Sequence, residues 1–172
     1  MIWLLIDDAT EGQSHDIYHG SNVEINSIDL SKSMRGKDFG QGFYLSADKK
    51  QAEEMAVFKA MQFDGKPVVT AFEFDEQMLA DASLKTKWFD EYSLEWAEFV
   101  FANRNNQSDM PIHDYDVVYG PIADDKVGVQ IRNLIEKNIT IEVFLERLKY
   151  IKGITFQYYF GTQRAISLLK RL

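Results

Sequence analysis

Tyr18-His19-Gly20-Ser21, Gly40-Gln41-Gly42-Phe43-Tyr44 and Gln157 are the residues of this chain whose types could do chemistry together. They bring an imidazole, a phenol ring and a carboxamide from three distant segments. An imidazole at a strand end can hydrogen-bond the hydroxyls of a ligand. Gly20 has no Cβ, so backbone and ligand can approach closely there. A flat ring such as that of Tyr44 can clamp a flat ligand. Gln157 can hydrogen-bond a hydroxyl, but it can neither accept a proton nor supply charge. Asp38, in Gly36-Lys37-Asp38-Phe39-Gly40, either provides the carboxylate that Gln157 lacks or bonds the loop backbone, as turn aspartates commonly do. Each residue also has a plain reading: His19 as a surface or core histidine, Tyr44 as a core aromatic, Gln157 as a solvent-facing strand residue.

Alternation and periodicity say which elements must position these groups. Residues 16–19 alternate and predict a short strand that ends at His19. Gly36 to Gly42 is a glycine-rich loop, and Phe43-Tyr44-Leu45 a strand leaving it. Asp48 reads as an N-cap, with Gln51 completing a capping-box-like pair. The helix it opens puts Ala52, Met55, Ala56, Ala60 and Phe63 on one face, and Gly65 and Pro67 stop it. Residues 68–74 read as a strand, about 85–103 as a helix, and 115–119 as a strand. Val127, Ile131, Leu134 and Ile135 give a helical stripe. Ile141, Phe144, Leu145 and Leu148 give another, capped by Thr140. Residues 155–159 and 165–169 read as closing strands. No Gly-x-Gly-x-x-Gly turn joins a strand to a helix, so a Rossmann unit is excluded. The order predicts an α+β domain with two packed, mostly antiparallel sheets.

With 172 residues and 45% hydrophobic composition, the chain suits one domain with a substantial core. No apolar run approaches the roughly 18–20 residues of a membrane span, so no membrane partner is expected. Ile2-Trp3-Leu4-Leu5-Ile6 is too short for a span and lacks the basic flank of a signal peptide; it reads as an edge strand or a tag remnant. Cysteine is absent, which excludes disulfides and thiolate metal sites and fits a reducing cytoplasm. His15, His19 and His113 are scattered without ligand spacing, so no metal is expected. The net charge of −8 disfavours general binding to nucleic-acid backbones. The late basic residues Lys149, Lys152, Arg164, Lys170 and Arg171 read as a solvated surface. Asp38-Phe39-Gly40 matches a kinase metal motif in letters only, because no His-Arg-Asp loop accompanies it.

The His19, Gly40-to-Tyr44 and Gln157 segments resemble the ADP-ribosyltransferase superfamily, on the branch with poly(ADP-ribose) polymerases and diphtheria toxin. The chain resembles more closely still a bacterial family on that branch that carries Gln in place of Glu and is often found beside toxin–antitoxin or effector genes. Trp96 to Arg104, Tyr115 to Asp125 and Gln157 to Ala165 extend the likeness, which covers residues 17–169. The resemblance implies a domain over residues 17–172 after an extension at 1–16, with a split two-sheet β core that binds NAD in its cleft. It implies that His19, Tyr44 and Gln157 are catalytic, and that His19, Gly20, Ser21, Asp38, Gly42 and Tyr44 bind NAD as substrate. His19 would hold ribose hydroxyls, the Gly20 backbone the carboxamide, and Tyr44 the nicotinamide ring. A second aromatic would come from Phe58, Phe63, Tyr92 or Tyr115. Arg104 either caps its helix or meets the NAD pyrophosphate. Gln157 in place of Glu argues against polymer elongation and for transfer of a single ADP-ribose to a macromolecular acceptor, protein before nucleic acid. An antitoxin is the expected partner of such a toxin. The alternatives are an NAD- or ADP-ribose-binding module without turnover, and an interaction protein with an empty cleft.

Overall fold

The computed structural model describes residues 14–172 apart from Lys152; the Ile2-to-Ile6 run and Lys152 lie outside the described residues. The strands are β1 (Ser14–Ser21), β2 (Phe43–Ser46), β3 (Val68–Asp75), β4 (Thr86–Trp88), β5 (Val117–Pro121), β6 (Phe156–Phe160) and β7 (Lys170–Arg171). They form one sheet in the order β4-β5-β6-β2-β1-β3-β7, antiparallel except between β4 and β5. The helices are α1 (Lys49–Phe63), α2 (Leu94–Arg104), α3 (Asp125–Ile135), α4 (Ile141–Lys149) and the short α5 (Gln163–Ile166). The class is α+β, and β1 already begins at Ser14, ahead of the expected domain start.

The expectation of two packed sheets is corrected to a single sheet with a weak centre. β1 pairs with β3 along its whole length, from Ser14↔Asp75 to Ser21↔Val68. It meets β2 only at Tyr18↔Ser46. This one bridge makes the sheet continuous. β2 is in turn held to β6 from Phe43↔Phe160 to Ser46↔Gln157.

Side-chain alternation places a core on each face of the sheet. Val118 and Tyr159 join Phe39, Trp96, Val100, Ile131 and Phe144 beneath α2, α3 and α4. Their strand neighbours Val117, Tyr158 and Phe160 join Ile17, Leu45, Phe72 and Phe74 on the other face. The registers put Tyr18, Ser46 and Gln157 on the same face as Tyr159.

Two elements differ from their sequence reading, and Asp116 explains both. Residues 86–88 form a strand instead of the first turn of a helix, because the buried Asp116 carboxylate accepts the Lys85 N–H (2.8 Å) and docks the segment beside β5. The helix starts only after Ser93, whose hydroxyl accepts the Trp96 N–H (3.1 Å). The expected strand over 165–169 is instead the end of α5 followed by a turn, and the last strand, β7, comes only at Lys170–Arg171. Thr162 caps it by accepting the Ala165 N–H (3.1 Å) and donates its own proton to Asp116 (2.6 Å). Arg164 adds an ion pair to Asp116 at 2.7 Å. Burial pushes the Asp116 pKa up, but the bonds from Thr162, Lys85 and Arg164 outweigh it and hold the carboxyl below its ordinary range.

Candidate functional site

The site forms where β1 and β2 part. Past Tyr18 the β1 backbone no longer pairs with β2, and an imidazole takes over: His19 Nδ1 lies 2.7 Å from the Tyr44 carbonyl. A carbonyl can only accept, so Nδ1 carries the proton and Nε2 of the neutral ring presents a lone pair. The ring stacks on Phe43 with centroids 4.3 Å apart. Burial, with a further contribution from the Lys59 charge, lowers the His19 pKa to about 4. His19 is therefore neutral throughout the physiological range.

Tyr44 sits on β2 with its hydroxyl fully engaged. It donates to the Gly40 carbonyl (2.6 Å) and accepts the Phe39 N–H (3.0 Å). These bonds fold the glycine-rich loop back over the ring. Gly40, at φ 91°, makes the turn there. Burial, then the nearby Asp38 charge, pushes the Tyr44 pKa well above its ordinary value, so the ring serves as an uncharged surface. His113, in the loop before β5, braces this turn: its Nε2 is 2.8 Å from the Phe39 carbonyl and its Nδ1 accepts the Tyr115 N–H.

Gln157 is buried on β6 and donates its amide N–H to Asp38 Oδ2 (2.9 Å). Asp38 Oδ2 also accepts the Ala123 N–H (3.0 Å). Its Oδ1 receives Arg104 Nε (2.8 Å) and Nη2 (2.7 Å). Arg104 Nη2 bonds the Ala123 carbonyl as well. The two readings of Asp38 thus merge, since it bonds loop backbone and also stands directly behind Gln157. An acceptor at Asp38 fixes which way the amide faces, leaving Gln157 Oε1 as the end available to a ligand. Arg104 pairs with Asp38 and itself lines the cavity.

One cavity of about 270 Å³ is lined by His19, Gly20, Asp38, Tyr44, Gln51, Met55, Lys59, Arg104 and Gln157 among others. Three distant segments of the chain therefore converge on it. A second cavity of about 510 Å³ shares His19, Lys37, Tyr44 and Lys59 with the first and lies under the loop after β1. Ser21 and Gly42 line only this second space. Phe58, Phe63, Tyr92 and Tyr115 line neither; the apolar side chains that line the first cavity from α1 are Ala52 and Met55. Sequence spacing puts Met55 on the same helix face as Ala52, but a thioether carries no aromatic signal for a ring clamp. A thioether still packs well against a ring.

Lys37 and Lys59 were also missed. No carboxylate forms an ion pair with either among the described residues. Lys59 donates to the Gly20 carbonyl (2.8 Å), and burial, then the Lys37 charge, brings its pKa down to about 8. In an acidic chain, the wall between the two cavities is thus locally cationic. Among the described residues no group of three or more acidic or histidine side chains is placed to hold a metal ion, and no helix is long and apolar enough to cross a membrane.

Gly20 has a structural reason for being glycine. A Cβ there would lie 2.0 Å from the Ala52 carbonyl oxygen and 2.9 Å from the Ala56 nitrogen, so α1 packs directly on the β1 backbone. Helix backbone cannot yield as a side-chain tip can. Gly20→Ala is expected to cost about 3 kcal/mol or more, about 6–12 °C in Tm for a chain of this size. Thermal melts check it, and an unchanged Tm would show that α1 does not rest on this position.

No curated protein and no solved structure matches the chain. The family model described as "Protein of unknown function (DUF3990)" matches residues 16–171, and with nearly the whole chain inside that match, the protein belongs to this family.

Proposed function

We propose that the protein is a mono-ADP-ribosyltransferase that uses NAD, on an ADP-ribosyltransferase-type core opened at the β1/β2 seam. The observation that carries this reading is the meeting of a neutral His19, the Tyr44 ring and Gln157 at one cavity beside a cationic wall. The nicotinamide ring stacks on Tyr44, with Met55 opposite. One ribose hydroxyl donates to His19 Nε2 and another to Gln157 Oε1. Lys37 and Lys59 meet the pyrophosphate. The C–N bond to nicotinamide breaks, nicotinamide leaves with the bonding pair, and an acceptor nucleophile attacks the sugar carbon and gives its proton to solvent. Positioning supplies the rate. A bacterial toxin or effector acting on a protein acceptor, with an antitoxin as partner, fits this chemistry.

The test is incubation with NAD labelled in its adenylate half, followed by assays for nicotinamide and for a labelled acceptor. Release is expected, falling about 100-fold in His19→Ala or Tyr44→Ala. One observation favours the second reading, an NAD- or ADP-ribose-binding module. Among the described residues, the single carboxylate in the first cavity, Asp38, is already neutralised by Arg104. Binding without nicotinamide release would select that module.

A further inference from the structure

Gln51 stands in the first turn of α1, where its sequence spacing assigned it to a capping box with Asp48. It does not serve there. The Asp48 N–H that a capping-box partner would accept instead donates to the Ser46 hydroxyl (3.0 Å), and Asp48 caps the helix alone by accepting the Lys50 N–H (2.9 Å). Gln51 lines the first cavity, and its Oε1 is buried without a hydrogen-bond partner, the one such side-chain atom among the described residues. A buried carbonyl without a donor bears its full desolvation cost, and native structures keep few of them. Two polar groups that line the same cavity are engaged elsewhere, the Gly20 carbonyl with Lys59 and the Gln157 amide nitrogen with Asp38.

We propose that Gln51 is a specificity-determining residue that accepts an N–H from the ligand's carboxamide and so selects nicotinamide over nicotinate. This rests on the NAD reading above. A carboxamide offers two N–H groups, whereas a carboxylate offers none and would set its lone pairs against Oε1. The adjacent lysines pull the other way, because Lys37 and Lys59 would favour the anionic acid. A preference for the amide is therefore diagnostic of Gln51 and not of general electrostatics.

The experiment measures binding of NAD and of nicotinic acid adenine dinucleotide to the unmodified protein, Gln51→Leu and Gln51→Glu, by calorimetry, with a thermal melt of each protein alone. The unmodified protein is expected to prefer NAD by about 10–100-fold, the ratio a buried acceptor left unpaired would give. Gln51→Leu should lose most of that preference by weakening NAD, while melting about 2–4 °C higher without ligand, because an unsatisfied polar atom is gone. Gln51→Glu still accepts an N–H and should keep or sharpen the rejection of the acid. Equal binding of both dinucleotides, or preference for the acid, by the unmodified protein overturns the role of Gln51 and leaves the NAD reading standing. An unchanged ratio in a folded Gln51→Leu does the same. Binding of neither dinucleotide sinks both.

Discussion

Replacing Asp38 by alanine is expected to destabilise the protein by about 3 kcal/mol, the scale for removing one partner of a buried, hydrogen-bonded ion pair. The carboxylate serves three elements together. It holds Arg104 at the end of α2, the Ala123 N–H after β5, and Gln157 on β6. Alanine would leave a guanidinium largely sheltered from water without its counter-charge. For a chain of this size the loss is about 6–12 °C in Tm. Asp38→Asn separates stability from positioning. It fills the same volume but cannot accept from every present donor, so the Gln157 amide is no longer held in one orientation. Nicotinamide release should then fall by more than the melt alone explains, with the larger change in kcat. If Asp38→Asn melts lower but turns over NAD at the original rate, Asp38 does not orient Gln157.

His19 gives the second large effect, and its sign follows from its depressed pKa. In the folded chain the ring stays neutral down to about pH 4, whereas its ordinary value is 6.5. Between those values the unfolded chain binds the proton and the folded chain does not. The His19 contribution to stability is thus complete above about pH 6.5, shrinks as the pH falls toward 4, and is flat below. The span of the shift sets an upper bound of about 3 kcal/mol. Denaturant titrations from pH 7 to 4 should show this slope, and His19→Gln should remove it. On the NAD reading proposed above, the same proton would also control nicotinamide release. Protonation turns Nε2 from an acceptor into a donor, so the His19 limb of the pH–rate profile for nicotinamide release belongs near pH 4, not near 6.5. An inflection near 6.5 that disappears in His19→Gln would show a ring open to water, contrary to its stacking on Phe43.

Local patterns carried much of the architecture. Asp48, Thr140 and the apolar stripes of α3 and α4 announce their helices because caps and periodicity are properties of neighbouring residues. The Gly40-to-Tyr44 turn was equally plain, since glycine spacing is itself the signal. Where a residue's state depends on a distant partner, the reading went astray. Residues 86–88 took the appearance of helix until Asp116 docked them beside β5. Residues 165–169 looked extended, yet Thr162 caps a helix there.

By itself, the sequence determined which chemical groups this protein can bring to bear: an imidazole, a phenol ring and an amide on separate strands, with no thiol at all. Only the tertiary structure decided that they meet, and it did so through a missing stretch of strand pairing. β1 and β2 share a single bridge, and the imidazole closes the gap to the Tyr44 carbonyl. The partners that tune the site lie far off in the chain. Asp38 and Gln157 are 119 residues apart, and the lone Gln51 carbonyl emerged only because Ser46 had taken its capping role. Residue identity limits which bonds can form, but competition among neighbours in space selects those that do.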